Sequence, residues 1–221
     1  MNIRTFGAAA LLLASAILGG CATSRSEVRI APPDAAAAAA VTKPRAVVIR
    51  SVQDTRQFAE KPADPSVPSL GEGGASQASD SVKARAIARK RNTYGQALGD
   101  VLLQEGQTVT GLVRENLSAA FRQAGYRVAT DAASAGPNPL NVDVSVRKFW
   151  AWFTPGFWTI TLTANIETEL RISDGGVPVV VSVVTKDDLM AAGESAWVET
   201  VQKALVAYRA NAARQLSAPP F

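Results

Sequence analysis

The stretch WTITLTANIETELRI, residues 158–172, decides the fold, because apolar and polar side chains alternate along nearly all of it. Its apolar positions are Trp158, Ile160, Leu162, Ala164, Ile166, Leu170 and Ile172. An alternation with period two is typical of a strand that has one buried and one solvated face. The opposite face carries Thr159, Thr161, Thr163, Asn165 and Glu167. We therefore expect that face to meet water or a partner.

Two neighbouring stretches also predict strands. In LNVDVSV, residues 140–146, apolar residues alternate with polar ones, and VPVVVSVV, residues 177–184, is rich in valine. The residues SDGG at 173–176 are typical of a turn, and they lie between the stretches 158–172 and 177–184. Short turns join antiparallel neighbours, so the three stretches predict an antiparallel meander.

Two long segments outside the meander predict helices. Apolar residues recur at steps of three and four over residues 109–124, and again over about 194–216. The sequence RAVVIRSVQD at 45–54 predicts an early strand, and YRVAT at 126–130 predicts a short one. The fold class is therefore α+β. We expect an antiparallel sheet of about four to five strands with two helices on one face, in the order strand-helix-strand-strand-strand-helix, preceded by a lipid-anchored tether.

The composition along the chain predicts how the domain is bounded. Residues 44–216 form the expected domain, and 217–221 form a tail. Within the domain, residues 60–81 hold three prolines, three glycines and many serines, so we expect a flexible insertion at about 56–82.

The N-terminus has the pattern of an exported lipoprotein. A positive Arg4 and an apolar run precede Leu18-Gly19-Gly20-Cys21, which resembles a bacterial lipobox. We expect residues 1–20 to be a signal peptide, Cys21 to carry a diacylglycerol and an acyl chain, and 21–43 to be a flexible tether. Ala22 favours the outer membrane, with the domain facing the periplasm. The alternative is an ordinary secretory signal with a chance cysteine.

The side chains that most enzymes use are scarce in this chain. It contains no histidine, and its single cysteine is the expected lipidation site. No nucleophile elbow, phosphate-binding loop or metal-spaced cluster is present. We therefore expect no catalytic residue, no metal and no cofactor beyond the lipid on Cys21. The net charge of +4 is modest and does not indicate a nucleic-acid partner.

A basic segment, KARAIARKR at residues 83–91, places five cations close together. They are Lys83, Arg85, Arg89, Lys90 and Arg91. One interpretation is a contact site for anionic ligands such as lipid headgroups or lipopolysaccharide phosphates. The alternative is a solvated face beside a flexible loop.

An aromatic segment, KFWAWFTPGFW at residues 148–158, contains three tryptophans and three phenylalanines. If even positions stay on the core face, the core receives Trp150, Trp152 and Trp158, and the polar face receives Phe149, Phe153 and Phe157. Our hypothesis is that Phe149, Phe153 and Phe157, with the exposed edges of Trp152 and Trp158, contact a partner. The alternative is that the hairpin curls over the helices or that a loop covers these phenylalanines.

Four segments together resemble the YajG-like family of Gram-negative outer-membrane lipoproteins. They are ARAIARKRNTYGQALGD (84–100), VTGLVRENLSAAFRQAGY (109–126), the tryptophan-rich hairpin and AWVETVQKALVAYR (196–209). The resemblance implies an α+β domain similar to those of envelope-assembly lipoproteins.

Two functions are consistent with this sequence. The first is a non-enzymatic adaptor or assembly factor of the cell envelope that binds a protein partner. The alternative is a module that binds lipopolysaccharide, phospholipid or peptidoglycan through the aromatic hairpin and the basic segment. The sequence leaves the oligomeric state open.

Overall fold

The computed structural model describes residues 25–34, 40–71, 73–92, 94, 96–173, 176–190 and 193–218, so the expected signal peptide and Cys21 lie outside the described residues. Within these ranges there are eight strands: β1 (Ser26–Val28), β2 (Ala46–Asp54), β3 (Ala86–Arg91), β4 (Ala97–Leu103), β5 (Arg127–Ala129), β6 (Leu140–Pro155), β7 (Ile160–Ile172) and β8 (Val179–Leu189). The helices are α1 (Gly74–Gln77), α2 (Asp80–Arg85), α3 (Val109–Gln123), α4 (Ala132–Ala135) and α5 (Glu194–Ser217).

The long strand β6 is the centre of one mixed sheet. One edge of β6 pairs with antiparallel β7, which pairs with antiparallel β8. The other edge pairs in parallel with β2 over its first half and with β3 near Ala151. Strand β5 extends the sheet beyond β2, and β4 and β1 extend it beyond β3. The α+β class is confirmed. The expected antiparallel sheet of four to five strands is wrong, because long connections bring β2 and β3 alongside β6 in parallel.

Helices α3 and α5 cover one face of the sheet, as expected, and the main core lies between them and the strands. Thr108 caps the start of α3, and its hydroxyl accepts a hydrogen bond from the Gly111 amide at 3.1 Å. In α5, Tyr208 is fully buried, and its hydroxyl lies 2.7 Å from that of Thr168 on β7. This bond satisfies two polar groups within the core.

Residues 25–30, expected to be part of a tether, are part of the fold. Strand β1 pairs with β4, and Ile30 is completely buried. The side chain of Gln107 binds both the amide and the carbonyl of Ile30, at 3.0 and 2.7 Å. The expectation of a flexible tether over 21–43 is therefore wrong for these residues, because β1 completes the sheet edge at β4.

A β-bulge in β6 exchanges the two faces of the strand. The register with β7 shifts between Val146 and Lys148, so that Arg147 and Lys148 both point away from the helices. Arg147 forms an ion pair with Glu169 on that outer face. Even positions are therefore buried under the helices before the bulge, and odd positions are buried there after it.

The buried Arg56 fills the gap that β2 and β3 leave along the edge of β6. Its guanidinium donates to the carbonyls of Phe149 and Ala86 at 2.9 and 2.6 Å. It also binds both carboxylate oxygens of Asp54, at 2.7 and 2.8 Å, and its side chain is fully buried. This arrangement satisfies carbonyls that would otherwise lack a strand partner.

The segment after Arg56 forms a second layer on the outer face of the sheet. Leu70 is fully buried, Phe58 meets Trp150 edge to face at 6.1 Å, and the indole of Trp150 donates to the Pro65 carbonyl at 3.1 Å. Over the described residues 56–71 and 73–82, the expected flexible insertion at 56–82 instead packs as a cover over β3 and β6. The bulge makes this possible, because it turns Trp150 outward to anchor the segment.

Replacing Arg56 with methionine should lower the free energy of unfolding by about 3–5 kcal/mol, because the carbonyls and Asp54 lose their buried partner. Urea denaturation measures this loss. The matched control is Arg50→Met, which removes the same charge from an exposed pair with Asp143 and should cost about 1 kcal/mol or less. Equal losses in the two variants would contradict the role given to Arg56.

Candidate binding surfaces

The five aromatic residues expected to contact a partner fall into two groups. Phe149 and Phe153 are only 1% and 8% exposed, so placing them on the contact surface is wrong. The bulge is the reason, since it turns both side chains toward the helices. Phe157 and Trp158 are 89% and 79% exposed, and Trp152 is half-buried on the outer face.

The hairpin between β6 and β7 presents two aromatic rings at its end. The last strand pair is Pro155 with Ile160, which leaves a loop of four residues. The Gly156 amide donates to the Thr159 carbonyl at 2.8 Å, and a Cβ on Gly156 would lie 2.7 Å from that oxygen. The rings of Phe157 and Trp158 meet edge to face with centroids 4.8 Å apart. Glycine thus closes the loop, and the rings face outward.

Two other exposed side chains lie at the same end of the sheet. Strand β3 runs parallel to β6, so the loop after β3 extends in the same direction as the hairpin. That loop carries Tyr94, which is 89% exposed. Met190, 81% exposed, follows Leu189, the partner of Ile160 beside the hairpin loop. We call Tyr94, Phe157, Trp158 and Met190 the aromatic tip.

A second surface lies on the outer side of β7 and β8, beyond the ordered cover. Val180 and Val184 on β8 are 52% and 54% exposed. In the register of β6, β7 and β8, Asn165 separates Trp150 from Val184, and Thr163 separates Trp152 from Lys186. We call the exposed Val180, Val184 and Lys186, together with the half-buried Trp152 and Asn165, the outer β7–β8 face; Thr163 points to the same side but is only 3% exposed. This face combines apolar and polar groups on a rigid sheet.

Side chains of α5 form hydrogen bonds with backbone carbonyls along the free edge of β8. The amide of Asn211 donates to the Ser182 carbonyl at 3.0 Å, and Lys203 donates to the Lys186 carbonyl at 3.2 Å. Such contacts oppose the addition of another strand at that edge. A partner is therefore more easily accommodated on the outer β7–β8 face than by strand addition.

The basic segment is largely used within the fold. Lys83, Arg85, Arg89, Lys90 and Arg91 are all half-buried. Arg85 pairs with Glu27 of β1, and Arg91 donates to the Pro62 carbonyl at 3.0 Å. Burial lowers the pKa of Arg89, an effect that the charge of Asp100 opposes. The hypothesis of an anionic-ligand contact loses support for Arg85 and Arg91, since both hold structural elements together.

Three further findings on the described residues concern metal ligands, titration and membrane spans. No group of three or more potential metal-ligating side chains is found among them. Burial raises the pKa of the Tyr208 hydroxyl, but that group is engaged with Thr168 in the core. Of the helices that the structure describes, none is sufficiently long and apolar to cross a membrane.

Comparisons with known proteins find several similar solved structures. No protein-family model matches the chain, and no curated protein matches it. A protein from Xanthomonas campestris with the family model DUF330 is similar, with 15% identity and a TM-score of 0.47, over 88% of this chain and 95% of that one. A crystal structure of an uncharacterized protein has 12% identity and a TM-score of 0.47, over 89% of this chain and 99% of the other. Likenesses at this level carry no argument about function.

Replacing Phe153 with serine should lower the free energy of unfolding by about 3–5 kcal/mol, because the change opens a cavity in the core. Phe157→Ser is the matched control, since its ring is exposed in the same hairpin, and it should change stability by about 0.5 kcal/mol or less. Thermal and urea unfolding of both variants measure the difference. Similar stability of the two variants would place Phe153 outside the core.

Proposed function

We propose that this protein is a lipid-anchored, non-enzymatic adaptor of the Gram-negative cell envelope. In this proposal, Cys21 holds the domain to the outer membrane on its periplasmic side, and the outer β7–β8 face binds a protein partner. The observation that carries the proposal is the incomplete second layer of the fold. Helices cover one face of the sheet, whereas the ordered segment 56–82 covers only the β3–β6 half of the other face.

The exposed valines support a protein partner. Val180 and Val184 lie four residues apart on the same face of β8, with Ser182 between them, and both are more than half exposed. Apolar side chains grouped on one surface and rimmed by polar residues are typical of protein interaction sites. Lys186, exposed on the same face of β8, places a charged group beside Val184. The surface therefore has the mixed character of a non-obligate interface.

The sequence supports an anchor and offers little for catalysis. Leu18-Gly19-Gly20-Cys21 supplies a lipobox-like site, and the chain has no histidine and no second cysteine. The resemblance to the YajG-like family agrees with this location.

The alternative function, binding of lipid or glycan, is supported by a different observation. Phe157 and Trp158 are the most exposed rings of the aromatic segment, and they face away from the core. Such rings can stack on sugars or lie in a membrane interface. The two functions use different surfaces, so separate variants can test them.

The anchor predicts where the protein is found in the cell. After expression in a Gram-negative host, the mature protein should be in the outer-membrane fraction and carry the mass of a lipidated Cys21. Cys21→Ala should be released from that fraction, because its N-terminus cannot be acylated. Fractionation and intact-mass spectrometry measure both properties. An unmodified Cys21 in the mature protein would contradict the anchor.

The partner surface predicts a position-specific crosslink. A photo-reactive amino acid at Val184 should give one dominant protein adduct in living cells, whereas the same residue at Val206, an exposed valine on α5, should not. Val184→Glu should reduce capture of that protein by about tenfold or more, because it places a charge in the interface. Val206→Glu is the control. Equal capture by both variants would refute the assignment.

A further inference from the structure

We propose that the aromatic tip contacts the bilayer in which the lipid anchor is inserted. The end of the sheet that carries the β6–β7 hairpin loop then faces the membrane. The inference rests on the proposed lipidation of Cys21 and goes beyond it by fixing which end of the domain meets the lipid. Three observations carry it: the position of β1 in the sheet, the short spacing between Cys21 and Arg25, and the chemistry of the tip.

The strand pairing shows which residues of the sheet lie side by side with the start of β1, and we call such a set a row. Ser26 pairs with Val101, Val101 pairs with Ala88, and Ala88 pairs with Ala151 of β6. Strand β1 is parallel to β4, and β4 runs away from the aromatic tip. Arg25, which precedes Ser26, therefore lies on the tip side of that row. A contact between Ser26 and Glu194, at the start of α5 and close to Met190 in sequence, agrees with this direction.

Arg25 fixes the point at which the anchor segment meets the fold. Its guanidinium pairs with the fully buried carboxylate of Asp100 at 3.2 Å. Cys21 precedes Arg25 by four residues, which span at most about 14 Å when fully extended. The lipidated cysteine must therefore lie within that distance of Arg25.

Strand lengths then decide which end of the domain can reach the bilayer. From the row of Ala151, the hairpin loop at Gly156 is five residues away, or about 17 Å. The opposite end of β7, at Ile172, is eight residues from Ala164 in the same row, or about 26 Å in the other direction. A domain that stands upright on the membrane can thus rest on the tip but not on the opposite end.

The side chains of the tip suit a membrane interface. Tyr94 and Trp158 combine an apolar ring with a polar group, and both types are enriched at the boundary between headgroups and acyl chains. Phe157 and Met190 add apolar surface, and all four side chains are at least 79% exposed. Contact with lipid would remove this apolar surface from water and add to the affinity that the acyl chains provide.

Fluorescence quenching tests this orientation. The chain from Cys21 onward, which contains every residue that the structure describes, is coupled through Cys21 to a maleimide lipid in vesicles of phosphatidylethanolamine and phosphatidylglycerol. Brominated acyl chains should then quench Trp158 about twofold, because the indole lies at the interface. Trp158→Phe should abolish the quenched component, since Trp150 and Trp197 are buried and Trp152 is half-buried in the fold.

A matched reporter at the opposite end completes the test. Val177 is 80% exposed beside β8, so Val177→Trp in the Trp158→Phe background places an indole away from the expected contact. Absence of quenching there, with quenching of Trp158, supports the proposal. No quenching of Trp158, or equal quenching at both ends, overturns it. Because the coupling is chemical, this outcome is independent of whether cells lipidate Cys21, which intact-mass spectrometry decides.

Discussion

The guanidinium of Arg56 is the interaction on which the layered arrangement depends. Strand β6 has a different neighbour on each half of one edge, and between them its backbone needs a donor. Arg56 supplies that donor while Asp54 balances its charge, so the sheet continues without a strand at this point. The same guanidinium lies over the ring of Phe58 at 5.1 Å, which links the gap to the outer cover.

The bulge beside this gap determines which aromatic side chains serve the fold. Because of the bulge, Phe149 and Phe153 point into the core under the helices. Trp150 points to the opposite face of the sheet, where it packs against Phe58 and Leu70. The core therefore receives the smaller rings, and the larger indole finds a hydrogen-bond acceptor at the surface layer. Of the aromatic segment, Phe157 and Trp158 remain exposed at the hairpin end and Trp152 remains partly exposed on the outer side of the sheet, which makes these surfaces candidates for binding.

Local patterns predicted the elements better than their arrangement. The alternation in β7 and the apolar stripes of α3 and α5 are properties of contiguous residues, so strands and helices could be recognised. The β-bulge lies beside a contact between distant residues, since Arg56 donates to the carbonyl of Phe149 from 93 residues away, and no alternation rule contains that contact. The same limit explains the sites. Phe157 is exposed because it lies in the loop beyond β6. Strict alternation places Phe149 and Phe153 on the outer face, but the bulge turns both side chains into the core.

The short spacing between Cys21 and Arg25 gives the two proposed surfaces a common geometry. If the strand ends stand on the membrane, the strands run away from it, and the outer β7–β8 face is perpendicular to the bilayer. A protein partner beside the domain could then reach Val180 and Val184 without displacing the tip from the lipid. A long tether would leave the orientation free, but β1 incorporates into the sheet the residues that would have formed it. The adaptor would therefore present its partner surface at a fixed height above the membrane, which lowers the orientational cost of binding a partner held at the same surface.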